Sequence, residues 1–401
     1  MTRPRLILAP GKEKAILRRH PWIFSGAVKR VEGTPQEGDV VDVFTADGGW
    51  VATGHYQNDS IICKVLSFNT RQIDEDFFRQ RLLSVIRYRE RLRFFSSKDT
   101  DVFRLIHAEG DNLPGLVADW YAGNVVLQAH SVGMHRMFPM LTRLLRELLT
   151  PKGLVSIFDK SSATLPGGAE DGYLYQLSIK KEWEVVENGV RLLINPYEGQ
   201  KTGFFIDQRE NRRLVQDLAS GHRVLNCFGY TGGFSLAALK GGAEYVETVD
   251  ISRKAIELCN RNVNINANLN GTERHRGVVA DVLQYIQTIK HSDNQAFDFI
   301  ILDPPAFAKN HRSLQQGLKG YRSINQRAME ALPDGGLLMT FSCSQAVSKE
   351  DFQTMVFTAA ANAGKQVRIV RQLPHAPDHP VSIYHPEGEY LKGLLLEVEG
   401  E

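Results

Sequence analysis

The chain has 401 residues, 48 of them Lys or Arg and 46 Asp or Glu, with 42% apolar residues. That length points to two or three domains, each able to bury its own core, and the apolar content excludes an intrinsically disordered chain. The net charge of +2 excludes an acidic tail or a histone-like polycation; as a total it argues against a nucleic-acid partner, but a total hides where the charges sit.

Charge is concentrated at the start. Residues 1–30 carry eight basic residues (Arg3, Arg5, Lys12, Lys14, Arg18, Arg19, Lys29, Arg30) against one acid, Glu13. They read as a basic arm, and Lys12, Lys14, Arg18, Arg19, Lys29 and Arg30 are candidate RNA contacts. The apolar run at 6–9 is too short for a signal peptide, and no later stretch approaches the ~18 apolar residues of a membrane span. Next, GDVVDVF, the pair Gly48-Gly49, WVATGHY and SIICKVLSF alternate short apolar runs with turns, predicting a small β-rich unit ending near Phe68. Over 74–95, Phe77, Phe78, Leu82, Leu83, Val85, Ile86 and Leu92 recur at helical spacing, with Arg79, Arg81, Arg87, Arg89, Arg91 and Arg93 between them. This predicts a helix with one strongly basic side, either solvated or in contact with phosphates.

Residues 102–190 predict a middle α+β domain. LPGLVADWY and NVVLQAH flank a Gly123-Asn124 turn, a helix covers 134–149, VSIFD forms a strand, and Pro166-Gly167-Gly168 marks an exposed loop. From about 221 the rhythm becomes strand, turn, helix: HRVLNCF, YVETVD, GVVAD, FDFIILD and LLMTFSC are strands, with helices between them that include 321–332 and Lys349–Ala363. Near-continuous apolar strands alternating with helices predict an α/β fold with a parallel, Rossmann-like sheet covered on both faces. VRIVRQL and YLKGLLLEVE, with no helix between them, predict an antiparallel addition at its edge. The expected domains are 1–72, 73–190 and 191–401.

In such a sheet, ligands sit beyond the carboxyl ends of the strands, where the strand order reverses. After the first strand comes Asn226-Cys227-Phe228-Gly229-Tyr230-Thr231-Gly232-Gly233, whose glycines let backbone N–H groups approach a ligand. The spacing fits neither G-x-G-x-x-G nor a P-loop, which disfavours a phosphate cradle. Asp250, after the second strand, can accept from both hydroxyls of a ribose, and Asp281, after the third, can meet an adenine amino group. Glycine turn and two strand-end acids without a phosphate grip point to S-adenosylmethionine, although each aspartate could equally be a helix cap. The fourth strand ends in Asp303-Pro304-Pro305 with Phe307 beyond, able to hold a planar base; the fifth ends in Phe341-Ser342-Cys343-Ser344. A Cys343 thiolate beside Asp303 could add to C6 of a pyrimidine and make C5 accept a methyl group. The other cysteines, Cys63, Cys227 and Cys259, are widely spaced with no C-x-x-C, so neither a disulfide scaffold nor a zinc ribbon is expected, and a reducing cytoplasm fits.

The segments NCFGYTGGF, DPPAF and TFSCS resemble S-adenosylmethionine-dependent methyltransferases acting on ribosomal RNA, and RRHPWIFSGAV resembles a PUA domain, a small RNA-binding barrel. With KTGFFIDQR, DHPV and EGEYLKG, essentially the whole chain resembles the ribosomal RNA large subunit methyltransferase I family. That resemblance implies 5-methylcytosine formation in 23S ribosomal RNA. It places the cofactor at Phe205, Asp207, Gln208, Asn226, Phe228, Gly229, Gly232, Asp250, Asp281 and Asp303, with Asp303 also orienting the base and Cys343 as the nucleophile. Many RNA cytosine-C5 methyltransferases carry Pro-Cys where this chain has Pro304-Pro305, so a single nucleophile remains. The expected partner is 23S ribosomal RNA, with no membrane; a homodimer is a further expectation. Guanine N-methylation and a non-catalytic role in ribosome assembly stay open as alternatives. His375, His379 and His385 lie in a proline-broken segment whose spacing matches no helical metal-ligand pair; a loop closing over the target base is the functional alternative there.

Overall fold

The computed structural model describes residues 3–165, 169–178, 180–269, 271–289, 296–308 and 310–400, and in it the expected basic arm is folded. Its residues build strand β1 (Arg5–Leu8), the short helix α1 (Lys14–Leu17), β2 (Trp22–Phe24) and β3 (Val28–Glu32). With β4 (Val40–Phe44), β5 (Trp50–Tyr56) and β6 (Ile61–Ser67) they form a six-stranded sheet in the order β2-β6-β5-β4-β1-β3. The arm folds because its apolar residues are core: Leu6, Leu8, Ile16 and Ile23 pack with Val41, Val43, Ala52, Cys63 and Val65, leaving the cations between them at the surface.

Helix α2 (Glu75–Arg91) starts where Asp74 accepts from the Phe77 amide at 2.9 Å, with Glu75 and Asp76 favourably placed in the first turn. Phe78, Leu82, Val85 and Ile86 face the core. On the expected basic side, Arg87, Arg91 and Arg93 are exposed and Arg79 and Arg81 half-buried, but Arg89 is fully buried, donating to Asp111 at 2.6 Å, to the Arg104 carbonyl at 2.9 Å and to the Asp378 carbonyl at 2.8 Å. A buried guanidinium is tolerated when its donors are satisfied in this way.

A second sheet, β11-β10-β9-β8-β7, follows. It is made of β7 (Val102–His107), β8 (Leu116–Tyr121), β9 (Asn124–Ala129), β10 (Ser156–Asp159) and β11 (Gly172–Gln176), with α3 (Val132–Arg136) and α4 (Phe138–Leu149) between β9 and β10. The expected turn shifts by one residue: Ala122 and Gly123 take the left-handed conformation a two-residue hairpin needs (φ 48° and 91°), and Asn124 opens the strand. The single helix expected over 134–149 is two, meeting at Met137 just before Pro139. The loop expected at Pro166-Gly167-Gly168 lies outside the described residues.

The segments Met1–Val185, Ile194–Ile206 and Pro377–Gly388 form one compact unit; Val186–Leu193, Asp207–Ala376 and Glu389–Glu401 form another. A hairpin of β12 (Trp183–Glu187) and β13 (Val190–Ile194) and helix α5 (Arg209–Leu218), neither foreseen, precede the second unit's sheet. That sheet and its helices run β14 (Arg223–Cys227), α6 (Gly233–Lys240), β15 (Tyr245–Asp250), α7 (Arg253–Ile265), α8 (Gly271–Arg274), β16 (His275–Val279), α9 (Val282–Tyr285), β17 (Phe299–Leu302), α10 (Leu314–Ala331), β18 (Gly336–Ser342), α11 (Lys349–Ala363), β19 (Lys365–Gln372) and β20 (Lys392–Gly400). The strand order is β16-β15-β14-β17-β18-β20-β19, so the order reverses between β14 and β17. The antiparallel addition has one unforeseen feature: β20, last in the chain, inserts between β18 and β19, pairing Gly336 with Val398 through Ser342 with Lys392. Its run Leu394, Leu395, Leu396 and Val398 is buried, whereas Ile369 and Val370 of β19 are about half exposed, as befits an edge. Among the described residues, no helix is long and apolar enough to cross a membrane.

Candidate active site

Beyond β14 the chain turns with Phe228, Tyr230 and Gly232 at φ 58°, 46° and 84°. Left-handed backbone at two non-glycine residues is costly and persists only where contacts enforce it. Here the Gly229 amide donates to the Val249 carbonyl (3.1 Å), the Tyr230 amide to Asp250 (3.0 Å) and the Gly232 amide to the Gly229 carbonyl (2.8 Å). The two glycines answer to packing: a Cβ at Gly229 would come within 2.3 Å of the Thr248 methyl, and one at Gly232 within 2.3 Å of the Cys259 sulfur. Asn226 is buried, its amide donating to Ser235 (2.8 Å), which in turn meets Thr248 and then His275. Burial pulls His275 down to about 4, so this chain of hydrogen bonds ends on a neutral ring.

Asn226 Oδ1 is buried with no hydrogen-bond partner among the described residues. Asp250 accepts the Tyr230 and Ser252 amides, one on each oxygen, and each oxygen keeps a second acceptor site. One strand over, the Ala280 amide donates to the Asp250 carbonyl (3.1 Å), and Asp281 caps α9 by accepting from the Gln284 amide at 3.0 Å. Asn226, Asp250 and Asp281 are thus acceptors gathered at three adjacent strand ends, a set that suits the hydroxyl and amino donors of a nucleoside and so fits S-adenosylmethionine.

Across the switch point, Asp303 follows β17. Its carboxyl is pushed up to about 7, chiefly by burial and then by the Asp207 carboxylate, against a hydrogen bond with Gln208 and the Arg212 guanidinium that favour the ionised form. Asp207 accepts from the Tyr390 hydroxyl at 2.6 Å, Gln208 accepts from Asn211 at 2.6 Å, and Arg212 is paired with buried Glu187. Phe228 meets Phe307 edge-on at 6.3 Å, and Phe307 contacts Tyr321 at 4.7 Å. Phe205 lies in Ile194–Ile206, which folds with the first unit.

Strands β17 and β18 are neighbours, with Leu302 opposite Thr340, and this brings Cys343 to the Asp-Pro-Pro turn, its sulfur 3.9 Å from the Pro304 carbonyl. Cys343 is partly exposed; Cys63, Cys227 and Cys259 are buried, and burial pushes all three thiols up, that of Cys259 to about 12. Only Cys343 has the access a nucleophile needs. Sequence reasoning missed Lys392, whose ammonium donates to the Ser344 carbonyl (2.6 Å) and the Tyr390 carbonyl (2.7 Å) and which burial pulls down to about 8. Its signal was a lone cation heading an apolar strand.

The three histidines fall in different units. His375 accepts from the Leu391 amide within the second unit; His379 and His385 are buried in the first, His379 against Asp378 (3.1 Å) and His385 against Trp22 (ring centroids 4.3 Å apart). Within the stretch expected to close over a base, Asp378, His379 and His385 are buried, while Val381, Ile383 and Tyr384 are exposed. Of the candidate RNA contacts, Lys12, Lys14, Arg18, Arg19 and Lys29 are exposed and make no ion pair with a described residue, while Arg30 is paired with Glu32 at 2.7 Å. On α2, Arg79 is paired with Glu75 and Glu147, but Arg87 and Arg91, which make no ion pair with a described residue, line a cleft of about 310 Å³ with Ser84, Tyr88 and Asn112.

Residues 104–395 match the S-adenosylmethionine-dependent methyltransferase family, and residues 6–68 match the PUA-like domain. The chain is 38% identical over 400 residues to ribosomal RNA large subunit methyltransferase I of Aeromonas salmonicida, covering 98% of each chain. It is 38% identical over 403 residues to the protein of the same name from Escherichia coli O139:H28, covering 98% of this chain and 99% of the relative. Its fold is similar to that of a SAM-dependent methyltransferase from Streptococcus mutans (TM-score 0.83, 20% identity) and of a methyltransferase complexed with SAH (TM-score 0.84, 21% identity), each covering 98% of this chain and 99% of the other. With a PUA-like domain ahead of a methyltransferase sheet and relatives matched end to end, the chain belongs to the ribosomal RNA large subunit methyltransferase I family of S-adenosylmethionine-dependent enzymes.

Proposed function

We propose that the protein methylates a cytosine at C5 in 23S ribosomal RNA, with 1–72 as an RNA-binding PUA domain, 73–190 as a middle domain and 191–401 as the catalytic domain. The observation that carries the reading is the accessible Cys343 standing at the Pro304 carbonyl, one strand end from Asp303. S-adenosylmethionine, when bound, supplies a methyl group from its sulfonium. Asn226, Asp250 and Asp281 hold it through its hydroxyl and amino donors. The Cys343 sulfur forms a bond to C6, and the C5–C6 π electrons become available at C5. Asp303, with its carboxyl near 7, can carry a proton at neutral pH and donate it toward N3 as charge builds on the ring. Once C5 is methylated, a solvent base takes its proton, and the C5–H electrons restore the C5–C6 double bond and expel the Cys343 thiolate. RNA affinity comes from Lys12, Lys14, Arg18, Arg19 and Lys29, with Arg87 and Arg91 as a second contact.

The test is nucleoside mapping of 23S ribosomal RNA from cells with and without the gene. A single 5-methylcytosine that disappears with the gene supports the reading. A lost methylguanine, or no lost modification, overturns it.

A further inference from the structure

Lys392 sits at the head of β20, opposite Ser342 in the ladder and one residue from Cys343, and is 5% exposed. The Ser344 and Tyr390 carbonyls take two of its three N–H bonds. No carboxylate among the described residues pairs with it: the closest acidic influence in its own segment, Glu389, is bound to Lys349 at 2.6 Å. A buried ammonium held only by neutral carbonyls is short of a negative charge, and leaving it so is costly. The anion available is the Cys343 thiolate, which favours the charged form of Lys392 more than Glu389 does, against the opposing effect of burial. Among the described residues, the Tyr321 hydroxyl also interacts with Cys343; burial and Cys343 keep it protonated, and it is bound to Ser344 at 2.9 Å.

We propose that Lys392 is the counter-ion of the Cys343 thiolate, a positioning residue that keeps the nucleophile ionised. Cys343 releases its proton to solvent while Lys392 keeps its own; no bond to lysine forms. The same ammonium stabilises the thiolate when it leaves C6, an aid for a chain whose fourth strand ends in Pro304-Pro305 with no second cysteine. The catalytic consequence rests on the reading of Cys343 as nucleophile; the ion pair does not.

The experiment follows alkylation of Cys343 by iodoacetamide against pH in the full-length protein, read by peptide mass spectrometry, since Cys63, Cys227 and Cys259 are buried. The wild-type midpoint is expected below the ~8.5 of a free thiol. Lys392→Gln should raise it by about one pH unit or more, roughly tenfold slower labelling at neutral pH, and Lys392→Arg should restore it. Equal midpoints in wild type and Lys392→Gln overturn the proposal. If Lys392→Gln unfolds, seen as labelling of all four cysteines, the other two proteins decide. A wild-type midpoint at or above ~8.5 overturns the proposal, and a lowered midpoint shared by Lys392→Arg supports it. Alkylation requires neither RNA nor cofactor. A shifted midpoint together with an active Cys343→Ala enzyme would therefore keep the ion pair and remove the nucleophile.

Discussion

The Tyr390 hydroxyl donates to the Asp207 carboxylate at 2.6 Å, joining residues 183 positions apart. The bond fixes Asp207 where its charge bears on Asp303, and it ties the EGEYLKG segment to the end of KTGFFIDQR. Two sequence signatures without obvious chemistry of their own thereby meet beside Asp303.

That acid makes the stability depend on pH in a defined direction. The Asp303 carboxyl rises from an ordinary 3.8 to about 7 on folding, so the native state binds the extra proton between those values. Its favourable contribution is complete below about 4 and is lost as the pH rises through about 7. Asp303→Asn should therefore be more stable than wild type at pH 8, on the order of 1–2 kcal/mol after discounting for partial solvent access, with no gain near pH 4. Thermal unfolding at the two pH values checks this, and an equal gain at both would refute the titration.

Cys343→Ser should lose methyl transfer to RNA by about 10³-fold or more while binding S-adenosylmethionine as wild type does. Single-turnover methylation alongside calorimetry separates the two effects. Substantial activity in this variant would remove the covalent step.

Asp250→Ala removes the carboxylate that holds the Tyr230 and Ser252 amides and faces the ribose hydroxyls in our reading. Cofactor affinity should fall about 10- to 100-fold, and Asp281→Ala should cost less, since that side chain is already engaged as a helix cap. Titration calorimetry of the two variants tests the ranking.

Changing Arg18, Arg19 and Lys29 together to Gln should weaken RNA binding and flatten its dependence on salt by up to about two units of log–log slope. Arg87→Gln with Arg91→Gln should add a smaller decrement of the same kind. An unchanged slope in both would place the binding charge elsewhere.

Arg89→Met should be the most damaging change on α2. It strands Asp111 and the Asp378 carbonyl, both satisfied by the guanidinium, and should cost about 3–5 kcal/mol in urea unfolding. Exposed Arg87 changed in the same way should cost under about 0.5 kcal/mol.

Local pattern alone determined much of this protein. Periods of apolar residues laid out the alternating strands and helices from 221 onward, because each such element must bury a stripe whose spacing is written in neighbouring residues. The rule that ligands meet strand ends then singled out Asn226, Asp250, Asp281, Asp303 and Cys343. What the tertiary structure decided depends on partners distant in the chain. Glu13 aside, no acid within residues 1–30 offsets their charge, so they read as an arm until Val41, Val43 and Val65 supply the core that folds them. Arg89 reads like its five neighbours until Asp111 and Asp378 turn it inward. Gly229 and Gly232 read from the sequence as ligand contacts, and the fold adds a separate reason for glycine there, since a side chain would strike Thr248 or Cys259. Lys392 shows locally only as a lone cation heading an apolar strand; its meaning comes from the insertion of β20 beside β18, which sets a buried cation next to Cys343. Burial and pairing are properties of where chains meet, and a run of sequence records only one side of each meeting.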